Sequence, residues 1–197
     1  MNDTQLLRQK IERCGVHEQL GPTGKGWGIE QNPQELAEFL IAISPIKTVL
    51  EIGTGYRGGL ACFLAAGMGC KVTTVDVREY NTQTRLDGIT YIVLEDPAQA
   101  PTFPELFDLV FLDAAHTYEA VKRDYEHYKW YGRVVAIHDI AGLRTCEGAA
   151  QFWREISRVW IEKNKGKLRK GFHEVIADSP QAAGIGWVSL IRLNQNG

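Results

Sequence analysis

Short continuous apolar runs alternate along this chain with stretches of helical period, and that alternation sets out most of its elements. Asp3 is placed to cap a first helix in which Leu7, Ile11 and Cys14 recur at helical spacing before Gly15. A second helix carries a capping signature, with Asn32 at the cap, Pro33 at the first helical position and Glu35 three residues past the cap. Leu36, Leu40 and Ile43 then share one face. Strands are predicted at Thr48–Ile52, Lys71–Asp76, Ile89–Leu94, Leu109–Asp113 and Val134–Ile137. Between them lie a helix through Leu60–Ala66 and one with Val121, Tyr125 and Tyr128 on a common stripe. A further helix runs from Gly148 to Lys163 with Phe152, Ile156 and Val159 facing inward. The ending differs: only eight residues separate Phe172–Ile176 from Ile185–Leu193, too few for a crossover helix, so these two strands should be antiparallel neighbours. The expected fold is α/β, a Rossmann-like doubly wound sheet, mostly parallel, with an antiparallel C-terminal strand and helices on both faces. Residues 1–30 read as an N-terminal helix and glycine-rich connector, and residues 31–197 as the main domain.

The chemistry gathers first in Val49–Asp76. Gly53, Gly55 and Gly58 satisfy GxGxxG directly after a strand and before a helix. In that context glycine permits positive φ and close approach of the backbone to a ligand, and the helix start offers free N–H groups. A tight turn with no ligand is the plain alternative. Asp76 ends the second strand, where its two oxygens suit paired ribose hydroxyls. Glu51 separates two candidate cofactors, because a carboxylate at the cradle would repel a pyrophosphate but welcome the ammonium and sulfonium of S-adenosylmethionine. The bland alternative is that Glu51 accepts backbone N–H groups of the turn. Thr54 inside the turn and Val77 just past Asp76 complete the expected cofactor contacts. Asp96 stands where an adenine edge would sit, with Glu95 nearly as well placed.

With these residues the chain resembles the class I S-adenosylmethionine-dependent methyltransferases. The resemblance is carried by EIGTG at Glu51–Gly55, the acid of TTVD at Asp76, FDLVFLDAAH at Phe107–His116 and the final antiparallel strand pair, similar to that family's seventh strand inserted beside the fifth. It spans about Gln31 to Leu193. Within the class, LDAAHTYEAVKRDYE followed by VVAIHDI is similar to the small-molecule group that holds cephalosporin-biosynthesis and rhamnosyl O-methyltransferase-like proteins. The resemblance implies methyl transfer from S-adenosylmethionine to an oxygen of a small hydroxylated molecule.

Asp113, His116, His138 and Asp139 follow the fourth and fifth strands, which lie side by side in a doubly wound sheet, so all four should face one cleft. Asp113 also borders the cofactor's place. Metal-using members of the family carry acids after these two strands, which maps a Mg²⁺ or other divalent site onto Asp113 and Asp139. His138 preceding Asp139, with Ile140 after it, departs from the family's usual extra acid or amide. A metal-free reading makes His116 or His138 a general base. A third gives these residues structural roles alone.

Composition narrows the picture a little. With 44% apolar and 23% charged residues and a formal charge of −2, the chain offers no bulk attraction to nucleic acid or anionic membrane. The [DN]PP[FYW] pattern of nucleic-acid amino-methyltransferases is missing after the fourth strand. These features predict a small-molecule substrate and no nucleic-acid partner. No run approaches a membrane span, no signal peptide is visible, and Cys14, Cys62, Cys70 and Cys146 form no metal-type spacing, which predicts a cytoplasmic protein with reduced thiols. His17, Lys25 and Trp27 are candidates for a lid, or Trp27 for simple packing. Lys163, Lys165, Lys167, Arg169 and Lys170 read as a solvated connector or a steering patch, and Trp130 and Tyr131 as a homodimer surface. Two rival functions remain: a nicotinamide-dependent oxidoreductase, and a non-catalytic scaffold of methyltransferase fold.

Overall fold

The computed structural model describes residues 2–15, 28–55, 58–79, 86–96, 99–142, 145–163, 171–179 and 182–189. His17, Lys25 and Trp27, the basic run 165–170 with the Lys163 side chain, and strand residues past Ser189 lie outside these described residues.

Helices α1 (Asp3–Gly15) and α2 (Pro33–Ile43) precede strand β1 (Thr48–Ile52). Helix α3 (Gly59–Cys62), extended by a wider π turn over Phe63–Gly67, leads to β2 (Lys71–Asp76) and β3 (Ile89–Val93). There follow β4 (Phe107–Leu112), α4 (Tyr118–Tyr128), β5 (Gly132–His138), α5 (Glu147–Lys163), β6 (Phe172–Val175) and β7 (Ile185–Ser189). One seven-stranded sheet runs in the order β3-β2-β1-β4-β5-β7-β6. Its first five strands pair in parallel, whereas β7 pairs antiparallel with both β5 and β6. The sheet is therefore doubly wound, with the antiparallel finish that the short 177–184 loop requires.

Strand register decides what meets at the carboxyl edge. Glu51 lies opposite Thr74 on one side and Phe111 on the other, and His138 opposite Ile185. Alternate residues feed two cores. Val49, Leu109 and Phe111 pack with Ile11, Leu36, Phe39 and Leu40 of α1 and α2. Leu50, Val110 and Leu112 pack with Val121, Tyr128, Phe152 and Trp153 of α4 and α5. Helix α2 is buried beyond its Leu36–Leu40 stripe, since Ala37 and Phe39 are also fully enclosed.

Three local expectations change. Val159 is exposed, and the inward place on α5 belongs to Trp153, which stacks on Phe172 at 4.2 Å between ring centroids. Tyr131 packs edge-on against Phe103 at 5.5 Å, leaving Trp130 as the exposed aromatic of that pair. Asn32 caps α2 through its Oδ1, which accepts from Gln34 N and Glu35 N, but the Glu35 side chain does not return to the cap. It is fully buried and accepts from Ala177 N at 2.8 Å and Gly184 N at 3.0 Å, more than 140 residues away along the chain.

Candidate functional site

β1 ends in a turn that only glycine can make. Gly53 has φ +99°, and a Cβ on it would lie 2.1 Å from the Asp113 carbonyl oxygen. The close approach is fixed on both sides, by Gly53 N donating to Val75 O and Asp113 N donating to Ile52 O. Gly58, at φ 60°, sits in the left-handed region just before α3. Glu51 takes a backbone N–H from Ala61 at the start of α3, whereas the amides of Thr54 and Gly55 point elsewhere. Thr54 N and Gly55 N donate to Asp76 Oδ2 at 2.9 and 3.2 Å, while Arg78 N donates to Asp76 Oδ1. Asp76 thus ties the glycine turn to the end of β2.

Glu51 lies beneath the turn, 2% exposed. Its register partner Thr74 donates from Oγ1 to Glu51 Oε2 at 2.5 Å, and the Thr74 hydroxyl is in turn 2.7 Å from that of Thr54. Burial raises the Glu51 pKa to about 8 against the opposing pull of the Thr74 hydrogen bond, and the nearby Asp113 and Asp76 carboxylates raise it further.

At the ends of β4 and β5 the four expected residues do come together. His116 Nδ1 is 2.8 Å from Asp139 Oδ2. His138 Nδ1 lies between two carboxylates, 3.2 Å from Asp113 Oδ1 and 3.4 Å from Asp139 Oδ1. Gln31 Nε2 then donates to Asp113 Oδ2 at 2.6 Å. The result is a continuous run, His116–Asp139–His138–Asp113–Gln31, in which each carboxylate oxygen faces an N–H donor. Burial opposes a charged His138, but Asp113 and Asp139 outweigh it and lift its pKa to about 10. Burial likewise opposes the Asp139 charge, yet hydrogen bonds from His116 and His138 hold it well below the usual carboxylate range. His116 is raised chiefly by its hydrogen bond to Asp139. Asp139 itself takes φ 63°, a conformation that Asp tolerates better than most residues. The turn after it is held by Ala141 N donating to Ala183 O at 2.8 Å, in the loop that Glu35 clasps.

Two cavities meet at Gly53. One, of about 330 Å³, is walled by Glu51, Asp113, His116, His138 and Asp139, with Gly28, Gln31 and Ala183 closing it. Two of its wall residues carry unmet polar atoms: Gln31 Oε1 and His138 Nε2 are buried and have no partner among the described residues. The other, of about 420 Å³, is walled by Asp76, Val77, Leu94, Ala114, Arg123 and Tyr128. Of the sequence-predicted positions, Gly53, Gly55 and Asp113 border both, Thr54 and Gly58 the first, and Val77 the second. Asp96 lines neither and, like Glu95, is exposed. Sequence reasoning missed Gln31, Ala114, Ala183 and Arg123. Gln31 and Ala183 arrive through long-range packing and carry no local signal, whereas Ala114 could have been found as the residue that must pass Gly53.

Comparison with solved structures places this architecture. A Staphylococcus aureus protein named for caffeoyl-CoA O-methylation is 16% identical, with 95% of this chain and 93% of that chain covered and a TM-score of 0.55. The human methyltransferase 10 domain containing protein is 15% identical over 95% and 96% of the two chains, with a TM-score of 0.57. The N-terminal domain of human METTL16, solved with S-adenosylhomocysteine, is 18% identical over 95% and 79%, with a TM-score of 0.53. The fold is that of the class I S-adenosylmethionine-dependent methyltransferases. No family model and no curated protein matches the sequence. The METTL16 likeness corrects one expectation. METTL16 is an RNA-binding methyltransferase, so the methyltransferase fold seen here also serves nucleic-acid acceptors, and the reading that nucleic acid is no partner does not stand. A net charge averages over the whole surface, and the missing [DN]PP[FYW] motif speaks to one amino-methylation chemistry only. No helix among the described residues is long and apolar enough to cross a membrane.

Proposed function

We propose that the protein transfers a methyl group from S-adenosylmethionine to an oxygen of a small hydroxylated molecule, with the His116–Asp139 pair taking the acceptor's proton. One observation carries this reading: two cavities of different chemistry meet across Gly53. The carboxylate-walled cavity suits a cationic group, and the orphaned Gln31 Oε1 on its wall wants a donor such as an ammonium. The cavity bordered by Asp76, Val77 and Leu94 suits a nucleoside, with oxygens for ribose hydroxyls and an apolar wall for the base. A nicotinamide dinucleotide fits less well, because its pyrophosphate would face Glu51, Asp113 and Asp139.

When bound, S-adenosylmethionine supplies an electrophilic methyl on a sulfonium. The remaining work falls to the chain. Asp139 holds the His116 Nδ1 proton, which fixes the tautomer and leaves Nε2 as the acceptor of a hydroxyl proton. Asp113 and Glu51 orient a positive ligand, which draws off the proton that burial keeps on Glu51 in the ligand-free protein, and the Gly53 turn admits it close to the backbone. Proton uptake by His116 requires its neutral form, so activity should rise with pH through the raised His116 pKa.

A divalent cation is the second reading. Ligand atoms of Asp113, His138 and Asp139 lie within 4.8 Å of one another. The arrangement does not fit a cation held by Asp113 and Asp139 oxygens, however, since the His138 Nδ1 atom itself stands against both, at 3.2 and 3.4 Å. No step is derived through such a metal. The absence of disulfides among Cys14, Cys62, Cys70 and Cys146 supports a cytoplasmic setting.

The test is methyl transfer from labelled S-adenosylmethionine to panels of phenols, sugars and short RNAs, with and without EDTA. Transfer to a hydroxylated small molecule that survives EDTA and falls about 100-fold in His116→Gln supports the proposal. Transfer to RNA alone, or transfer abolished by EDTA, overturns the acceptor class or the metal-free base respectively.

A further inference from the structure

One cluster at the edge of the acidic cavity has a composition that methyl transfer does not require. His116 follows β4, Asp139 is the first residue past β5, and Cys146 stands just before α5. One ligand atom from each of the three lies within 4.8 Å of the others. They offer an imidazole nitrogen, a carboxylate oxygen and a sulfur. Asp139 and Cys146 are 6% and 7% exposed, so two of the three donors are already removed from bulk water. His116 is the more open member, with its side chain 38% exposed. None of the mechanism above uses the Cys146 thiol.

We propose that His116, Asp139 and Cys146 form a binding site for a soft divalent cation such as Zn²⁺, and that its occupation switches methyl transfer off. The set is one that zinc accepts and magnesium does not: sulfur, nitrogen and one oxygen, from three separate segments. Little rearrangement is needed at the nitrogen and oxygen. The His116 Nδ1 to Asp139 Oδ2 separation is 2.8 Å, and two donors at bonds of about 2.0 Å in a tetrahedral shell stand about 3.3 Å apart. The cation takes the place of the Nδ1 proton. Binding forms bonds to N, O and S; the His116 Nδ1 proton moves to Nε2, so the ring remains a neutral ligand, and one proton, from the Cys146 thiol, is expelled, with no change of oxidation state. The inhibitory part rests on the function proposed above. A metal on Nδ1 takes the Asp139 carboxylate away from its orienting role and leaves the ring's one proton on Nε2, so His116 no longer takes up the acceptor's proton. The site is distinct from an Asp113–Asp139 oxygen site, because its defining ligands are the Cys146 thiol and the His116 imidazole.

Cobalt(II) is the probe, since a thiolate on Co²⁺ gives a charge-transfer absorption that oxygen and nitrogen ligands do not. The full chain is titrated with Co²⁺ and then with Zn²⁺ as competitor, and S-adenosylhomocysteine binding is measured on the same samples. The proposal expects a thiolate-to-cobalt band at one equivalent that Zn²⁺ bleaches. Cys146→Ser should lose the band, Cys14→Ser should keep it, and His116→Gln should weaken Co²⁺ binding by about tenfold or more. Cys146→Ser should also retain methyl transfer and resist Zn²⁺ inhibition. Cys146→Ala guards against a misfolded serine variant and should behave the same way. A band that survives in both Cys146 variants, or no band at all in a chain that binds S-adenosylhomocysteine, overturns the site. Failure to bind S-adenosylhomocysteine while the Cys146-dependent band is present would instead overturn the methyltransferase reading and leave the metal site standing.

Discussion

Glu35 and Glu51 are both enclosed glutamates near the same cavity, and their surroundings differ in one respect. Glu35 is 0% exposed, and both of its oxygens accept from backbone amides, Ala177 N and Gly184 N. Glu51 is 2% exposed and receives the Thr74 hydroxyl on Oε2, beside two further carboxylates, at a cavity wall. Burial alone therefore does not mark a functional acid. What separates the two is position: Glu35 is held by two backbone amides and closes a loop, whereas Glu51, held by the Thr74 hydroxyl and the Ala61 amide, stands on a cavity wall beside Asp113 and Asp76, where a positive ligand reaches it.

The largest expected effect lies on the structural side. Glu35→Ala orphans two buried amides and should cost about 4 kcal/mol of stability, read from the urea unfolding midpoint. It should also loosen the 177–184 loop that supports the Asp139 turn. Next comes Glu51→Gln. It should leave stability unchanged or improved, because a desolvated carboxyl is removed. S-adenosylhomocysteine affinity should fall about thirtyfold by calorimetry, or about 2 kcal/mol. If the two variants lost stability equally, the contrast would collapse. A smaller effect is expected from Thr74→Val, which removes the donor to Glu51 and the partner of Thr54, at about 1 kcal/mol in the same unfolding assay.

The smallest signal is a slope with pH. Glu51 has a native pKa of about 8 against an ordinary 4.5, so between those values the native state holds the extra proton. Stability of the ligand-free protein should fall as pH rises through that window. His138 acts in the same direction. Its stabilisation is complete below its ordinary 6.5 and is lost as pH rises through about 10. Thermal melts across this range should show a decline that Glu51→Gln flattens below pH 6.5, makes shallower from there to about 8 and leaves in place above it. An unchanged slope in that variant would mean that Glu51 is ionised in the native state.

How much of this was legible in the chain depends on the range of the interaction. β1 and β2 are legible to the residue, because Thr48–Ile52 and Lys71–Asp76 are short runs rich in β-branched residues between sharp breaks. The antiparallel finish followed from loop length alone. The meeting of Asp113, His116, His138 and Asp139 followed from strand order, once adjacent β4 and β5 were expected. Glu35 misled, since a local capping pattern was outcompeted by two amides brought in by the far end of the sheet. The amides of Thr54 and Gly55 belong to Asp76, while Glu51 binds its register neighbour Thr74 and the Ala61 amide at the start of α3. Gln31 was invisible. Nothing beside it in sequence indicates that packing of α2 will bring its amide to Asp113.

The central claim is that the cavities flanking Gly53 bind the two ends of S-adenosylmethionine. Calorimetric titration of the full chain with S-adenosylhomocysteine, beside NADH, tests it most directly. The account predicts one S-adenosylhomocysteine site of micromolar affinity, weakened in Glu51→Gln, and no heat from NADH. Binding of NADH alone, or S-adenosylhomocysteine binding indifferent to Glu51→Gln, would contradict it.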